Sequence, residues 1–478
     1  MDVTALRAKH PRLIYQSFNA VVTDDVLEVE YTFLLEPDIV FHPRATFPLL
    51  GRSLDQLDHK NLEWWLFTLG LAELASYWKT ACPPEIVIKA GTLSPEQIEW
   101  WHHALISGLG EFFYTNDIDF TQLEFLRISN ASDASSLNTI TGLKPTLASN
   151  TDTQPYKTAP RYLVPVGGGK DSALVLSLLK AQNLPFDCLV LSPASPAAVA
   201  IAETANPHTL LQPTRTIDPT LLELNAQGYL NGHTPFSLYL AFASSFAAWL
   251  QGNDAVVLAN EQSANEANVT FHGQPVNHQW SKSFEFENML RKYLEEAARS
   301  LHAEFPSYFS LLRPLHELQI AQLFAAHPEY HTIFRSCNVG QKAGVWCHHC
   351  PKCLFVFMML HPFLDETVLS EQIFTHNLFS DESLYTTLLA LLGKDAHKPF
   401  ECVGTFAENA AALQLSIEKY AKVNKNLPFL LEKVKNELLQ FNPVSLSEIA
   451  SILQGWSEDH NIPTELASLL RSELAATQ

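Results

Sequence analysis

Three consecutive glycines, followed by a lysine, an acid and a hydroxyl side chain, form the run with the clearest chemical potential. They are Gly167, Gly168, Gly169, Lys170, Asp171 and Ser172. Glycines let the backbone turn sharply and bring its N–H groups to a phosphate, while a following helix presents its positive N-terminal end. The Walker pattern fails because Asp171 follows the lysine, and the dinucleotide-binding pattern fails because Ser172 stands where its third glycine belongs. The run therefore predicts an anion-binding loop of a different type.

This run resembles the pyrophosphate loop (PP-loop) of the N-type ATP pyrophosphatases, usually Ser-Gly-Gly-x-Asp-Ser, which cleave ATP to AMP and pyrophosphate while adenylating a substrate. Gly167 replaces the first Ser, so one hydroxyl contact to phosphate is lost. The resemblance implies an ATP site formed by Gly167, Gly168, Gly169, Lys170, Asp171 and Ser172. In that site Lys170 neutralises pyrophosphate, and Asp171 serves catalysis by helping to place Mg²⁺. The alternative is a plain strand-to-helix turn.

Four of the seven cysteines lie close together and are spaced like metal ligands. They are Cys337, Cys347, Cys350 and Cys353, with the spacing C-x9-C-x2-C-x2-C. Four thiolates can close a tetrahedral shell around zinc, and a shell with four protein ligands leaves no open position for catalysis. The cluster therefore predicts a structural zinc site, with an iron–sulfur cluster or unliganded thiols as alternatives. His348 and His349 are spare donors within it.

The elements that must position these residues alternate between strands and helices. Apolar runs at 162–166, 186–191 and 255–258 predict strands, and helices are predicted from about 172, at 197–203 and at 236–250. Such alternation indicates a parallel sheet covered by helices, with ligands at the carboxyl ends of its strands. Earlier in the chain, Ser53 with Gln56 and Ser94 with Gln97 are spaced to cap the starts of two helices.

The sequence divides into four predicted parts. Residues 1–130 mix helical and strand signals, and residues 131–159 are rich in Ser, Thr, Asn, Asp and Pro, which is typical of a linker. Residues 160–360 hold the glycine run and the cysteines, and residues 361–478 are Leu- and Ala-rich at helical spacing. The predicted fold class is α/β: a parallel-sheet core of the PP-loop ATP pyrophosphatase type, flanked by an α+β N-terminal domain and a helical C-terminal region.

Composition and charge exclude several classes of protein. Of the 478 residues, 47% are apolar and 17% charged, so the chain can bury a large core. The formal charge of −20 disfavours a nucleic-acid partner. The longest uncharged apolar stretch, 235–250, is shorter than the roughly 20 residues of a membrane span. The N-terminus lacks the basic and then apolar order of a secretory signal, which predicts a cytoplasmic protein without a membrane partner.

Taken together, the motifs resemble those of the UDP-N-acetylmuramoyl-L-alanyl-L-glutamate epimerase family. The matching segments are 108–119, 165–172, 192–197, 277–287, 313–315 and 334–338, the last leading into the cysteines. The resemblance implies an ATP- and Mg²⁺-dependent inversion of the terminal L-Glu of UDP-MurNAc-L-Ala-L-Glu to D-Glu, through an acyl adenylate, with release of AMP and pyrophosphate. It thus implies a UDP-MurNAc-dipeptide substrate and a role in peptidoglycan precursor synthesis.

Residues outside the loop are candidates for the remaining chemistry. Lys282 and His278 are hypothesised to move the proton, although a phosphate contact or helix start and a loop hydrogen bond are their ordinary alternatives. Glu261, just after the strand ending at 258, is placed to bind Mg²⁺ beside ATP, or else caps a turn. Arg313 and Arg335 are clamps for phosphate or carboxylate, or members of structural ion pairs. A polar and aromatic patch at 111–119 faces the active site, or forms a helix end.

Other functions remain open from the sequence. One alternative is another PP-loop adenylating enzyme, such as a 7-cyano-7-deazaguanine synthase, which has a comparable four-cysteine site, or a tRNA-modifying enzyme. Another is a nucleotide-binding regulator that forms no AMP. A cofactor-independent racemase with two cysteines is disfavoured, because Cys82, Cys188 and Cys402 are scattered along the chain.

Overall fold

The computed structural model describes residues 2–52, 54, 57–132, 137–142, 159–395, 398–438 and 444–477. The N-terminal elements are α1 (Val3–Lys9), β1 (Arg12–Thr23), β2 (Val26–Leu35), β3 (Ile39–Phe41), β4 (Arg44–Pro48), α2 (His59–Trp78), β5 (Glu85–Ile88), α3 (Pro95–Gly108), α4 (Gly110–Thr115), β6 (Arg127–Asn130) and β7 (Thr139–Thr141). The central elements are β8 (Tyr162–Pro165), α5 (Lys170–Ala181), β9 (Phe186–Leu189), α6 (Pro196–Ala205), β10 (Leu210–Leu211), β11 (Thr214–Thr216), α7 (Pro219–Ala226), α8 (Phe236–Gln251), β12 (Ala255–Leu258), β13 (Val269–Phe271), β14 (Gln274–Val276), α9 (Phe284–Leu301), β15 (Ser307–Ser310), α10 (Glu317–Ala325), α11 (Pro328–His331) and α12 (Pro351–Leu360). The C-terminal elements are α13 (Tyr385–Leu391), α14 (Phe406–Lys422), α15 (Phe429–Lys433), α16 (Leu446–Gln454) and α17 (Thr464–Ala476).

The N-terminal sheet is mixed. Its strands run in the order β11-β4-β2-β1-β5-β6, with β3 beside β2 and β7 beside β1. The long β1 and β2 pair antiparallel, whereas β1, β5 and β6 are parallel. Buried residues of β1 include Leu13, Tyr15, Phe18 and Ala20, and the pairing register shifts between Tyr15 and Ser17. The almost fully buried helix α2 packs against β1 and β2.

A buried ion pair connects this sheet to the central part of the chain. Arg215 on β11 donates to Glu73 of α2, with Nε–Oε2 at 2.6 Å and Nη2–Oε1 at 3.0 Å. Their side chains are 10% and 2% exposed. Because β11 pairs with β4, residues 214–216 complete a sheet otherwise built from the N-terminal 141 residues.

We expect Arg215→Met to lower the free energy of unfolding by about 3–5 kcal/mol, because it leaves the Glu73 carboxylate buried without its cation. The control is Arg127→Met, which removes another strand arginine paired with a glutamate but 71% exposed; its cost should be below about 1 kcal/mol. Urea unfolding of both variants measures the difference. Equal losses of unfolding free energy in the two variants would contradict the inference that Arg215 stabilises the contact between the N-terminal sheet and the central part of the chain.

The central sheet is entirely parallel and has the strand order β10-β9-β8-β12-β15. All residues of β8, β9 and β12 are buried, as expected for strands covered on both faces. Helices α5 and α8 contact it, and α10 in turn packs against α5. The predicted parallel sheet is confirmed, and its assignment to the PP-loop type stays a prediction.

The elements described beyond residue 361 are helical, and they share a core with the central sheet. No helix in the described part of the chain is both long and apolar enough to cross a membrane. Residues 133–136 and 143–158 of the predicted linker lie outside the described residues. The division at residues 130, 159 and 360 stays a prediction.

Candidate active site

A cavity opens where the order of the central sheet reverses direction. From β8 the chain continues through β9 to β10 on one side, and then through β12 to β15 on the other. Ligands of open α/β sheets bind at such a switch point, beyond the carboxyl ends of the strands. The loops after β8 and β12 line a cavity of about 620 Å³, together with residues from α8, residues 278–282, residues 335–341 and Cys402.

The glycine run forms the part of this wall that follows β8. Gly168 has φ +92°, and a Cβ there would lie 3.0 Å from Ala198 N and from Ser195 Oγ. A Cβ on Gly169 would lie 2.9 Å from Ser336 Oγ. A side chain at Gly168 is therefore disfavoured by both backbone conformation and space, whereas at Gly169, whose φ is −92°, it would require Ser336 to move. Among the described residues no side chain caps α5, which begins directly after Gly169, so its first amides remain available to an anion.

The three residues after the glycines differ in their surroundings: one is buried in an ion pair, and two line the cavity. Lys170 is 1% exposed, and its Nζ donates to the carboxylates of Asp171 and Glu317. Burial disfavours the ammonium, but these two carboxylates raise the pKa of Lys170. Asp171 and Ser172 line the cavity, and Ser172 Oγ donates to Gly169 O at 3.2 Å. The geometry thus favours an ion-pair role for Lys170 beneath the loop, while its contact with phosphate stays a prediction.

Glu261 brings a second carboxylate to the switch point. It lies three residues after β12, is 5% exposed and lines the cavity. Burial, and then the negative charge of Asp171, raise the pKa of Glu261. A divalent cation between such acids would remove this repulsion, so Asp171 and Glu261 could hold Mg²⁺.

The two arginines predicted as clamps differ in their partners. Arg313, which is 1% exposed, donates to Glu261 O at 2.9 Å, to Lys282 O at 2.6 Å and to Glu287 Oε2 at 3.1 Å. Its role is therefore to hold the backbones of two cavity residues. Arg335 lines the cavity and bonds carbonyls through Nη1, whereas its buried Nε has no hydrogen-bond partner within the described structure. Arg335 thus retains a donor for an anion.

The cysteine cluster adjoins the cavity, and one of its members, Cys337, is a lining residue. Closest sulfur pairs are 3.9 Å (Cys337–Cys350), 3.8 Å (Cys347–Cys353) and 3.5 Å (Cys350–Cys353) apart. A zinc tetrahedron with bonds of about 2.3 Å separates its sulfurs by about 3.8 Å, so the predicted ligand set fits. Backbone amides of Gly340, Cys347 and Cys350 donate to sulfurs at 3.1–3.3 Å, which stabilises thiolates.

The same cluster supports the glycine loop. Arg335 N donates to Gly168 O at 2.7 Å, two residues before Cys337. On the other side, Lys352 lies between Pro351 and Cys353, lines the cavity and donates through Nζ to the carbonyl of Cys402. A metal bound to these four cysteines would therefore fix the part of the wall that faces the loop.

Lys282 and His278, the predicted proton-transfer residues, both line the cavity and both contact Cys402. Lys282 Nζ lies 3.3 Å from Cys402 Sγ, and the thiolate raises the pKa of Lys282. Burial alone would lower the pKa of His278, but its hydrogen bonds to Cys402 and Glu111 raise it to about 9. Both side chains are therefore cations at neutral pH. In this form Lys282 and His278 can donate a proton but cannot accept one.

Sequence reasoning missed two of the residues gathered here. Cys402 is one of three cysteines scattered along the sequence, yet it lines the cavity, while Cys82 and Cys188 are buried elsewhere. His233 also lines the cavity, and its Nδ1 lies 3.0 Å from Glu111 Oε2, the oxygen that also bonds His278. Burial, and then the charge of His278, lower the pKa of His233 to about 4.

Within the polar patch at 111–119, Glu111 is the residue whose contacts reach the cavity-lining histidines. It stands in the first turn of α4, which packs against β14. Asn116 instead bonds the carbonyls of Phe112 and Asn231, and Asp119 bonds Thr121 two residues on. Glu111 thus contacts two cavity-lining histidines, and Asn116 and Asp119 bond at the helix end; that the patch faces an active site stays a prediction.

Two family models match the chain over most of its length. The MurL N-terminal domain matches residues 5–311, which include the glycine loop, Glu261 and Lys282. The MurL C-terminal domain matches residues 333–442, which include the cysteine cluster and Cys402. The cavity described above is lined by residues from both matches.

Three similar proteins carry the name UDP-N-acetyl-alpha-D-muramoyl-L-alanyl-L-glutamate epimerase. One from Salinispora tropica is 37% identical over 348 residues, covering 71% of this chain and 70% of its own. One from a Micromonospora species is 36% identical over 384 residues, covering 78% and 77%. One from Xanthomonas oryzae pv. oryzae is 31% identical over 464 residues, covering 94% of both. No solved structure matches the chain significantly.

Proposed function

The chain belongs to the MurL family, and from that premise we propose that it is an ATP-dependent epimerase of peptidoglycan precursor synthesis. Its substrate would be UDP-MurNAc-L-Ala-L-Glu, whose terminal L-Glu is inverted to D-Glu while ATP is converted to AMP and pyrophosphate. The observation that carries the proposal is that one cavity combines a glycine loop at the uncapped start of a helix with a cluster of titratable groups.

The chemistry explains why an epimerase would need ATP. Removing a proton next to a carboxylate is difficult, because the product carries two adjacent negative charges. If a carboxylate oxygen attacks the α-phosphorus of ATP and pyrophosphate leaves, the resulting acyl adenylate has no carboxylate charge and can stabilise an enolate. A base then takes the α-proton, a proton returns to the opposite face, and water releases AMP.

We assign the loop after β8 to the PP-loop type. Support comes from the positive φ and close backbone contact of Gly168, and from the uncapped amides of α5. Amides of Gly167, Gly168 and Gly169 and the hydroxyl of Ser172 would bind the phosphates, with Arg335 on the facing wall.

Two metal ions belong to the proposal. Asp171 and Glu261 would hold Mg²⁺, which neutralises charge on the phosphate oxygens when bound. Cys337, Cys347, Cys350 and Cys353 would hold a structural zinc ion, supported by their separations and by the amides donated to their sulfurs. We also place the activity in the cytoplasm, where a reducing environment keeps such thiolates unoxidised.

The test is to incubate the purified protein with ATP, Mg²⁺ and UDP-MurNAc-L-Ala-L-Glu, and to measure AMP together with the chirality of glutamate after acid hydrolysis. We expect substrate-dependent AMP and D-Glu. The matched control replaces the terminal α-carboxylate with an amide, which cannot be adenylated, and should give neither product.

Three other outcomes would each contradict the proposal. AMP formed with 7-carboxy-7-deazaguanine but not with the dipeptide substrate would indicate a deazapurine synthase. AMP formed only with tRNA would indicate a tRNA-modifying enzyme. Binding of ATP without AMP formation from any of these substrates would indicate a regulator.

A further inference from the structure

Cys402 lines the cavity, as Cys337 does, but lies outside the four-cysteine cluster and contacts a lysine. It lies between α13 and α14 and reaches the cavity, where Lys282 from the central part of the chain stands 3.3 Å from its sulfur. His278 hydrogen-bonds the same sulfur and is itself bonded through Nδ1 to Glu111. The arrangement is a Cys-His-Glu series with an additional ammonium group, assembled from three distant parts of the chain.

These neighbours favour the thiolate form of Cys402. Burial alone would raise the pKa of this thiol, but the charge of Lys282 and the hydrogen bond from His278 lower it to about 5. Other charged or titratable groups also act on this cluster; they are Lys352, Glu261, Asp171, Glu111 and His233. The net effect is a thiolate held between two cations, as in cysteines that react at neutral pH.

We propose that Cys402 is the base that removes the α-proton of the activated glutamate. The inference rests on the proposed function, since it needs an acyl adenylate in the cavity. In this step the Cα–H bond breaks, an S–H bond forms, and the electron pair of the former C–H bond is delocalised onto the acyl oxygen as an enolate. A solvent proton completes the new C–H bond on the opposite face, and Cys402 later returns its proton to solvent.

The other side chains near the sulfur are less suited to accept this proton. Lys282 and His278 already carry protons, as their raised pKa values require. Nδ1 of His233 is engaged by Glu111, and burial and the charge of His278 disfavour the cation that His233 would become on accepting a proton; the thiolate of Cys402 would instead become neutral. Lys282, His278 and Glu111 therefore act as positioning residues that keep the sulfur ionised and oriented.

The first experiment separates adenylation from proton transfer. Exchange of labelled pyrophosphate into ATP, dependent on UDP-MurNAc-L-Ala-L-Glu, reports adenylation, and deuterium incorporation at Cα in D₂O reports proton transfer. Cys402→Ala should keep the exchange reaction within about threefold of wild type while losing epimerisation and deuterium incorporation by about 10²–10⁴-fold. The control Cys188→Ala alters a buried cysteine of β9 and should leave pyrophosphate exchange, epimerisation and deuterium incorporation unchanged.

The outcomes distinguish a failure of the role assigned to Cys402 from a failure of the proposed function. Wild-type protein without substrate-dependent exchange would overturn the proposed function itself. Normal exchange and epimerisation in Cys402→Ala would overturn only the role of Cys402. A substrate-sized adduct on Cys402, found by mass spectrometry after quenching during turnover, would also overturn it, because the sulfur would then be a nucleophile forming a thioester.

A second measurement needs no turnover. Alkylation of Cys402 by iodoacetamide, followed by mass spectrometry of its peptide, should show a titration midpoint near pH 5 in wild type. Lys282→Met removes a neighbouring cation and should move the midpoint upwards by at least about one pH unit, towards the ordinary thiol value. A wild-type midpoint at that ordinary value would show that the thiolate is not formed and would overturn the proposal.

Discussion

Replacing Asp171 with Asn should lower substrate-dependent AMP formation, and epimerisation with it, by about 10²–10³-fold. The substitution keeps the shape of the side chain but removes the charge of a cavity-lining residue that interacts electrostatically with Glu261. Adenylation would lose a ligand of the proposed Mg²⁺, so the effect should appear in pyrophosphate exchange as well as in D-Glu formation. This distinguishes it from the effect of Cys402→Ala, which spares the exchange reaction.

The fold should survive this change. Lys170 loses one counterion, but Glu317 still pairs with its buried ammonium and keeps that charge compensated. The control is Asp119→Asn, since Asp119 bonds Thr121 in its own turn and should change the rate by less than about twofold. Near-normal AMP formation by a folded Asp171→Asn protein would contradict the assigned role.

The features that the sequence predicted well are those encoded within short segments. The parallel strands around the glycine run depend on neighbouring residues and are confirmed. The glycine run and the cysteine spacing are equally local, but the ATP site and the metal site that they predict stay predictions. Ser94 and Gln97 indeed form a reciprocal cap at the start of α3. The helix predicted from Ser53 begins instead at His59, where the Asp58 side chain accepts from Lys60 N; Ser53 and Gln56 lie outside the described residues.

The features that escaped prediction depend on long-range packing. Sequence reasoning missed Cys402 and His233, and it did not predict that they meet His278 and Glu111, from positions separated by up to 291 residues, since 402 − 111 = 291. No periodicity or spacing relates them, because each is brought there by a different helix or loop. For Lys170, a local motif predicts a phosphate contact, but tertiary structure supplies a different partner. Glu317 on α10 lies where it can pair with the ammonium. Burial and pairing of this kind are determined by tertiary structure.

The cysteine cluster leads to the second large effect, because its contribution to folding and its support of the ATP site can be measured in one variant. Cys353 is fully buried and does not line the cavity. Its replacement should therefore affect ATP binding only through the metal site. We expect Cys353→Ser to lose bound zinc and to lower Tm by about 10 °C, since metal-binding free energy is also folding free energy.

The same variant should bind ATP at least about tenfold more weakly, a change of about 1.4 kcal/mol, because Arg335, which bonds Gly168 O, and Lys352 in the cavity wall lose the support of the metal site. Cys188→Ser is the matched control: it also buries a hydroxyl at a fully buried cysteine, but outside the cluster, and should retain both zinc and ATP affinity. Elemental analysis, thermal unfolding and calorimetric Kd measurements on the two variants make the comparison. If the wild-type protein contains iron and acid-labile sulfide, the four cysteines bind an iron–sulfur cluster and not zinc. Unchanged ATP affinity in a metal-free Cys353→Ser protein would show that the cluster stabilises the fold without shaping the nucleotide site.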